Sequence, residues 1–219
     1  GLIDKAYSQN TETNYFLKKL KVKKITFIGN LKFIEHDAFE TNQADKKLFS
    51  QFRKYKTFVA ASTHNTEELF AAKTHILLKK KIKNIITIII PRHINRVDQI
   101  ISQINELGLN AISRRSNKKK LDNIDIYLVD TFGESKKFYK FATTVFLGGS
   151  IIKKGGQNPL EPARFGAKIL HGPNIDNFKD VYKYLNQLKI SSSINSPQQC
   201  VNSIIFKKNM KKVKKMKYL

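Results

Sequence analysis

The segment Gly148-Gly-Ser-Ile-Ile-Lys-Lys-Gly-Gly-Gln-Asn-Pro-Leu-Glu-Pro162 decides how this chain is read. Before it, Thr144-Val-Phe-Leu147 has the apolar, β-branched character of a buried strand, and Asn158-Pro-Leu-Glu161 has the form of a helix start. A glycine loop between a strand and a helix is the connection found in open parallel sheets, which hold ligands at their carboxyl edge. Glycines let N–H groups approach an anion, the first helical turn leaves N–H groups without partners, and Lys153 and Lys154 add positive charge. The segment can therefore hold phosphate. The same residues also serve a purely structural end, with Asn158 as N-cap, Pro159 in the first turn and Glu161 as capping-box partner. Spacing alone leaves both readings open.

Outward from this segment, strand-like runs alternate with helical ones. Strands are expected at Ile25 to Ile28, Thr57 to Ala61, Ile85 to Ile90, Leu109 to Ser113, Ile124 to Val129, Thr144 to Leu147 and Lys168 to Leu170. Helices are expected at Asn65 to Lys80, Ile94 to Leu107, Ser135 to Phe141, Pro159 to Phe165, Asp176 to Leu188 and Pro197 to Lys217. Such alternation predicts an α/β fold, a Rossmann-like doubly wound parallel sheet with helices on both faces, in one domain that accounts for nearly the whole chain.

Composition narrows the function. With 41% hydrophobic residues in 219, the chain can build a core and is not disordered. The apolar run Ile85 to Ile90 is far too short to cross a bilayer. A single cysteine, Cys200, excludes an internal disulfide and a cysteine-rich metal site. Forty-one Lys and Arg against 17 Asp and Glu give a formal charge of +24, so any partner is expected to be acidic: nucleic acid, an anionic lipid surface or a phosphorylated substrate. Helix-turn-helix, zinc-finger and aromatic RNA-binding motifs are absent, which argues against nucleic acid. Val201, Ile204, Ile205, Met210, Val213 and Met216 lie near helical spacing among lysines, a pattern that suits an anionic membrane surface or a terminal helix packed on its own domain.

Polar residues fall where the strands end. Gly29 to Lys32, Ser62 to His64, Pro91 to His93, Asp130 to Glu134 and the glycine segment each follow a predicted strand, so five loops are expected at one sheet edge. Lys32, Arg92, His64 and His93 around a helix start describe a site for an anion such as a nucleotide phosphate. Taken singly, Lys32 also reads as a surface lysine, and each histidine as a partner for loop backbone. The dispersed histidines and the lack of a carboxylate pair predict no metal site.

The motifs GNLKF at Gly29 to Phe33, ASTH at Ala61 to His64 followed by Glu67-Glu68, PRH at Pro91 to His93, DTFGE at Asp130 to Glu134 and GGSIIKKGGQNPLEPARFG at Gly148 to Gly166 together resemble the 3-deoxy-D-manno-octulosonic acid (Kdo) transferases. The resemblance runs in order over nearly the whole chain. It implies the carboxyl-terminal half of a GT-B glycosyltransferase, which transfers Kdo from CMP-Kdo to the lipid A precursor lipid IVA in lipopolysaccharide biosynthesis, at the cytoplasmic face of the bacterial inner membrane. Residues 1–219 are expected to be a single soluble donor-binding domain, inactive alone, without the amino-terminal domain that carries acceptor surface, general base and membrane anchor.

Carried over, the resemblance places Lys32, Pro91, Arg92, Phe132, Gly148, Gly149, Ser150, Asn158 and Glu161 around the donor, with Ser62, His64, His93, Gly155 and Gly156 in support. It implies that Arg92 and Lys32 neutralise the CMP phosphate, that Phe132 packs against base or sugar, and that Glu161 accepts from a ribose hydroxyl. It also implies an inverting, metal-independent transfer without cofactor, at an anionic inner-membrane surface, with no nucleic acid partner. Gln157 stands where many members have histidine. Two other readings remain: a GT-B-like UDP-sugar epimerase domain, and a non-catalytic basic domain that binds nucleic acid or lipid.

Overall fold

Every residue of Ile85–Pro91 is buried, the pattern of a strand covered on both faces. The computed structural model of the chain describes residues 3–8, 11–28, 43–116 and 120–207, and it divides them between two compact units, Gly1–Ala38 and Phe39–Leu219.

In the first unit, strands β1 (Lys5–Ser8) and β2 (Lys24–Phe27) pair in parallel around helix α1 (Thr11–Lys19). The strand expected at Ile25 to Ile28 is thus β2, and it belongs to this separate two-stranded sheet and not to the doubly wound one. The reason is visible in its burial: no residue of β2 is fully buried, whereas a strand inside a parallel sheet is covered on both faces. Gly29 to Phe33, including Lys32, lie outside the described residues.

The second unit carries helix α2 (Gln43–Phe52), β3 (Lys56–Thr63), α3 (Glu67–Lys79), β4 (Ile85–Pro91), α4 (Val97–Glu106), β5 (Ala111–Ser113) and β6 (Ile126–Leu128). It continues with α5 (Ser135–Tyr139), β7 (Thr144–Leu147), α6 (Leu160–Arg164), β8 (Lys168–His171), α7 (Lys179–Gln187), β9 (Ser191–Ser193) and α8 (Pro197–Ser203). The seven strands form one sheet in the order β5-β6-β4-β3-β7-β8-β9, each neighbouring pair parallel. Side chains alternate across a strand, so the run Phe58 to Ala61 divides: Val59 and Ala61 join one apolar cluster with Phe49, Phe138 and Tyr182, while Phe58 and Ala60 join another with Phe70, Ile100 and Cys200. Helices α2, α5, α6 and α7 therefore cover one face and α3, α4 and α8 the other. This is the doubly wound, Rossmann-like arrangement.

Three departures from expectation have local causes. Strand β9 is a serine triplet without apolar signal, placed by its pairing to β8, where Leu170 faces Ser192. Helix α2 had not been expected, although its apolar residues Leu48, Phe49 and Phe52 follow helical spacing. Helix α8, expected to reach Lys217, stops at Ser203: Ile204 is extended, and the N–H of Ile205 donates to the Thr144 hydroxyl at 3.0 Å. A strand hydroxyl thus offers this backbone a partner outside the helix. Residues 208–219 lie outside the described ones.

Candidate functional site

From β3 the chain lays β4 beside it, places β5 at the edge and inserts β6 between the two, then returns to lay β7 on the opposite flank of β3. The order reverses between β3 and β7, and in an open parallel sheet the crevice at such a reversal is the binding site. Four neighbouring strands, β6, β4, β3 and β7, deliver their following loops to that edge. The expected convergence holds for these four loops; the fifth, Gly29 to Lys32, follows β2 of the other unit and lies outside the described residues.

An open cleft of roughly 360 Å³ lies at this edge, between the β4 and β6 loops. Ser62, Pro91, Arg92, His93 and Phe132 line it together with Thr131 and Glu134. Ser62 holds a left-handed φ of 53°, beside the irregularity where β3 shifts register against β4. Such strain costs on the order of 1 kcal/mol in a non-glycine residue. Arg92 is anchored by its own N–H to the Thr63 carbonyl at 2.9 Å, and its side chain is exposed. Among the described residues it has no carboxylate within ion-pair distance, whereas nearby Arg96 pairs with Glu68 at 3.2 Å and Lys136 with Glu161 at 3.6 Å. Phe132 is 79% exposed, an aromatic face offered to solvent at a loop tip.

His64 links this cleft to the glycine loop. Its ring meets the His93 ring edge-on, with centroids 5.5 Å apart, and a Cβ on Gly149 would lie 3.5 Å from it. Burial holds the His64 imidazole below its ordinary 6.5; His93, Lys154 and Arg92 push the same way against Glu67. The ring is therefore neutral near pH 7, and its buried Nε2 has no hydrogen-bond partner among the described residues.

The glycine loop itself is a correction to the phosphate-holding expectation. Its N–H groups already hold an anion, the carboxylate of Glu67, which is 0% exposed. Gly149 donates to Oε2 at 2.7 Å, and Ser150 and Ile151 donate to Oε1 at 3.1 and 2.9 Å; a fourth donor, the His64 N–H, reaches Oε2 at 3.0 Å. Gly148 is glycine because a Cβ there would sit 2.6 Å from Thr63 Cα and 2.7 Å from Glu67 Oε2. The Ser150 hydroxyl is likewise used internally, donating to the Leu147 carbonyl at 2.5 Å and accepting from the Gly172 N–H at 2.8 Å. Gly156 donates to the Gly149 carbonyl at 2.8 Å, and Gly155 packs on Asn177.

Asn158 accepts the Leu160 N–H at 3.1 Å in the turn that leads into α6, but the residue at the N-cap is Pro159, without a side-chain cap, so the expected cap by Asn158 is displaced by one residue. The helix is only five residues long. Glu161 meets Lys136 across the α5–α6 contact. Tyr182, unremarked in the sequence, donates its hydroxyl to the Gln157 carbonyl at 3.0 Å and pins the loop from α7.

The sequence also gave no sign of the ionic support under Phe132. Arg114 donates to both Glu134 oxygens, at 3.0 and 3.1 Å, and to Asp45; Lys137 bridges the same two carboxylates at 2.9 and 2.8 Å. Burial opposes ionisation of Glu134, yet hydrogen bonds from Arg114, Thr131 and Lys137 outweigh it and hold the carboxyl at about 2. Among the described residues no group of three or more His, Cys, Asp or Glu is placed to hold a metal ion.

The chain is similar to known proteins in sequence and in fold. A 3-deoxy-D-manno-octulosonic acid transferase of Rickettsia bellii is 32% identical over 187 residues, 85% of this chain and 44% of the relative. This chain is a relative of the Kdo transferases. The corresponding Haemophilus influenzae protein is 28% identical over 190 residues, 83% of this chain and again 44% of the relative. The chain thus spans less than half the length of these curated relatives. Among solved structures, the C-terminal CMP-Kdo binding domain of WaaA from Acinetobacter baumannii superposes with a TM-score of 0.63 at 24% identity, covering 73% of this chain and 86% of that one. That likeness establishes a shared fold. No family model matches the chain.

Proposed function

We propose that this chain is the donor-binding part of an inverting glycosyltransferase that moves Kdo from CMP-Kdo to the lipid A precursor lipid IVA. The observation that carries the reading is the Arg92 guanidinium, without a carboxylate partner among the described residues, in one cleft with the exposed Phe132 ring at the carboxyl edge of the sheet. A guanidinium suits the phosphate of CMP, which departs with the developing negative charge, and holding that charge is the part of the reaction a donor site performs. Phe132 offers a stacking face to cytosine or sugar. Pro91, Ser62 and His93 shape the cleft wall, and neutral His64 can donate or accept at the sugar. The glycine loop, held by Glu67, serves as the rigid floor that sets His64 and Asn158. Glu161 would share its carboxylate between Lys136 and a ribose hydroxyl. Lys32 is assigned to the phosphate by resemblance alone.

In the same reading the remaining length of the relatives supplies the acceptor surface and general base, the reaction runs without a metal, and the whole enzyme works at the cytoplasmic face of the bacterial inner membrane. No described helix is long and apolar enough to cross a membrane.

Titration of the chain with CMP, followed by backbone amide shifts and with UMP as control, tests the donor assignment. Perturbations should centre on residues 91–93 and 131–133, and Arg92→Ala should weaken CMP binding about 10- to 150-fold, the worth of a charge-assisted hydrogen bond. Preference for a uridine nucleotide, or equal curves for Arg92→Ala and parent, would defeat the assignment.

A further inference from the structure

The opposite edge of the same sheet gathers basic residues that the sequence scatters. Two open clefts, of roughly 320 and 470 Å³, adjoin there and share Arg53, Tyr55 and Lys56. Their cations are Arg53, Lys54, Lys56, Lys81, Lys83 and Lys140, all exposed, and among the described residues no Asp or Glu lines either cleft. Lys56 opens β3, and its N–H donates to the Asn84 carbonyl at 2.8 Å just before β4 begins, so this is the amino edge of the parallel strands. The donor cleft lies at their carboxyl ends, roughly 23 Å away along eight-residue β3. Both edges can be occupied together.

We propose that this amino edge docks on an anionic phospholipid surface. Clusters of about four to eight Lys and Arg are the size that anionic leaflets attract, and six converge here from three separate stretches of chain. Half-buried Tyr55, Phe141 and Phe206 lie among them, with Lys56 Nζ 5.4 Å from the Phe206 ring centre; aromatic rings flanked by cations suit the headgroup level. The sequence favours lipid over nucleic acid as the polyanion. Beyond Phe206 it continues with seven more lysines and places Met210, Val213 and Met216 at every third position among them, apolar groups that an acyl boundary buries and a phosphate backbone does not. The proposal extends the membrane side of the reading above, and it stands on charge and chain path without any assumption about the nucleotide.

Co-sedimentation of the 219-residue chain with phosphatidylcholine vesicles, with and without phosphatidylglycerol, tests it. The parent should bind only the anionic vesicles. The fourfold variant K54E/K56E/K81E/K83E should lose at least about tenfold of that binding, while K18E/K19E/K179E/K183E, with the same change in charge, should lose less than about threefold. Equal loss in both variants, retained binding in the first, or a parent that binds single-stranded RNA but neither kind of vesicle would each overturn it. CMP titration of the same proteins is an independent readout, since the parent can fail that test and still bind vesicles.

Discussion

The carboxylate of Glu67 accepts the Gly149 N–H at 2.7 Å, joining residues 82 positions apart across the gap between β3 and β7. With three further N–H donors on the same two oxygens, this buried charge is what fixes the glycine loop. Glu67→Gln turns one acceptor into an NH₂ group that faces N–H donors, so buried donors lose their partner. The expected loss is about 3 kcal/mol of stability, read as a lower urea midpoint. An unchanged midpoint would mean that the loop holds itself.

Gly148→Ala and Gly133→Ala separate crowding from strain. A Cβ on Gly148 collides with backbone of the β3 loop, and the expected cost is about 3 kcal/mol. Gly133 has φ 73° but nothing within 4 Å of a Cβ, so only the left-handed penalty of about 1 kcal/mol applies. Thermal melting of the two variants should rank them in that order.

Arg92 and Arg96 sit four residues apart with different expected losses. Glu68 is almost fully buried; burial pushes its carboxyl upward, and Arg96 works against that push. Removing its partner in Arg96→Ala should destabilise the fold by about 3 kcal/mol. Arg92→Ala, which breaks no ion pair among the described residues, should melt like the parent while CMP affinity falls. Calorimetric titration beside a melting curve distinguishes the two.

Glu134 gives the fold a defined acid sensitivity. Its carboxyl lies at about 2 against an ordinary 4.5, so the unfolded chain binds the proton more readily in between. The stabilisation is complete above pH 4.5 and disappears as pH falls toward 2. Asp45 and Asp125, also held below their ordinary range, act in the same direction. Urea midpoints of parent and Glu134→Gln should differ most at neutral pH and converge in acid; a constant gap would show that its charge is not involved.

Cys200 should be silent toward thiol reagents. Burial pushes its thiol up to about 12 despite a hydrogen bond with Thr74, and the reactive species is the thiolate. A disulfide reagent at pH 8 should label the native protein only on the unfolding timescale and label it at once in urea; fast native labelling would place Cys200 at the surface.

Much of this molecule was legible in its chain order. The apolar runs at Thr57, Ile85, Ile124, Thr144 and Lys168 carry their own evidence of being strands, because burial on both faces demands continuous apolar sequence. The loops bearing Arg92 and Phe132 follow such strands, and parallel strands put those loops on one edge. The serine strand β9 and the extended turn after Ser203 had no local signature, since their backbone partners come from β8 and from Thr144. β2 looked like a member of the main sheet because four residues of strand sequence do not say which sheet they join.

By itself, then, the sequence determined the parallel sheet, the edge at which its loops gather and the family likeness, all of which follow from periodicity and from short motifs read along the chain. Only the tertiary structure decided that the glycine loop closes on Glu67, that Arg92 is left without a carboxylate among the described residues, and that scattered lysines meet at the far edge. Those are matters of which donor, acceptor or charge lies within a few ångströms of which other. That is settled by the packing of segments tens of residues apart, where local pattern carries no information.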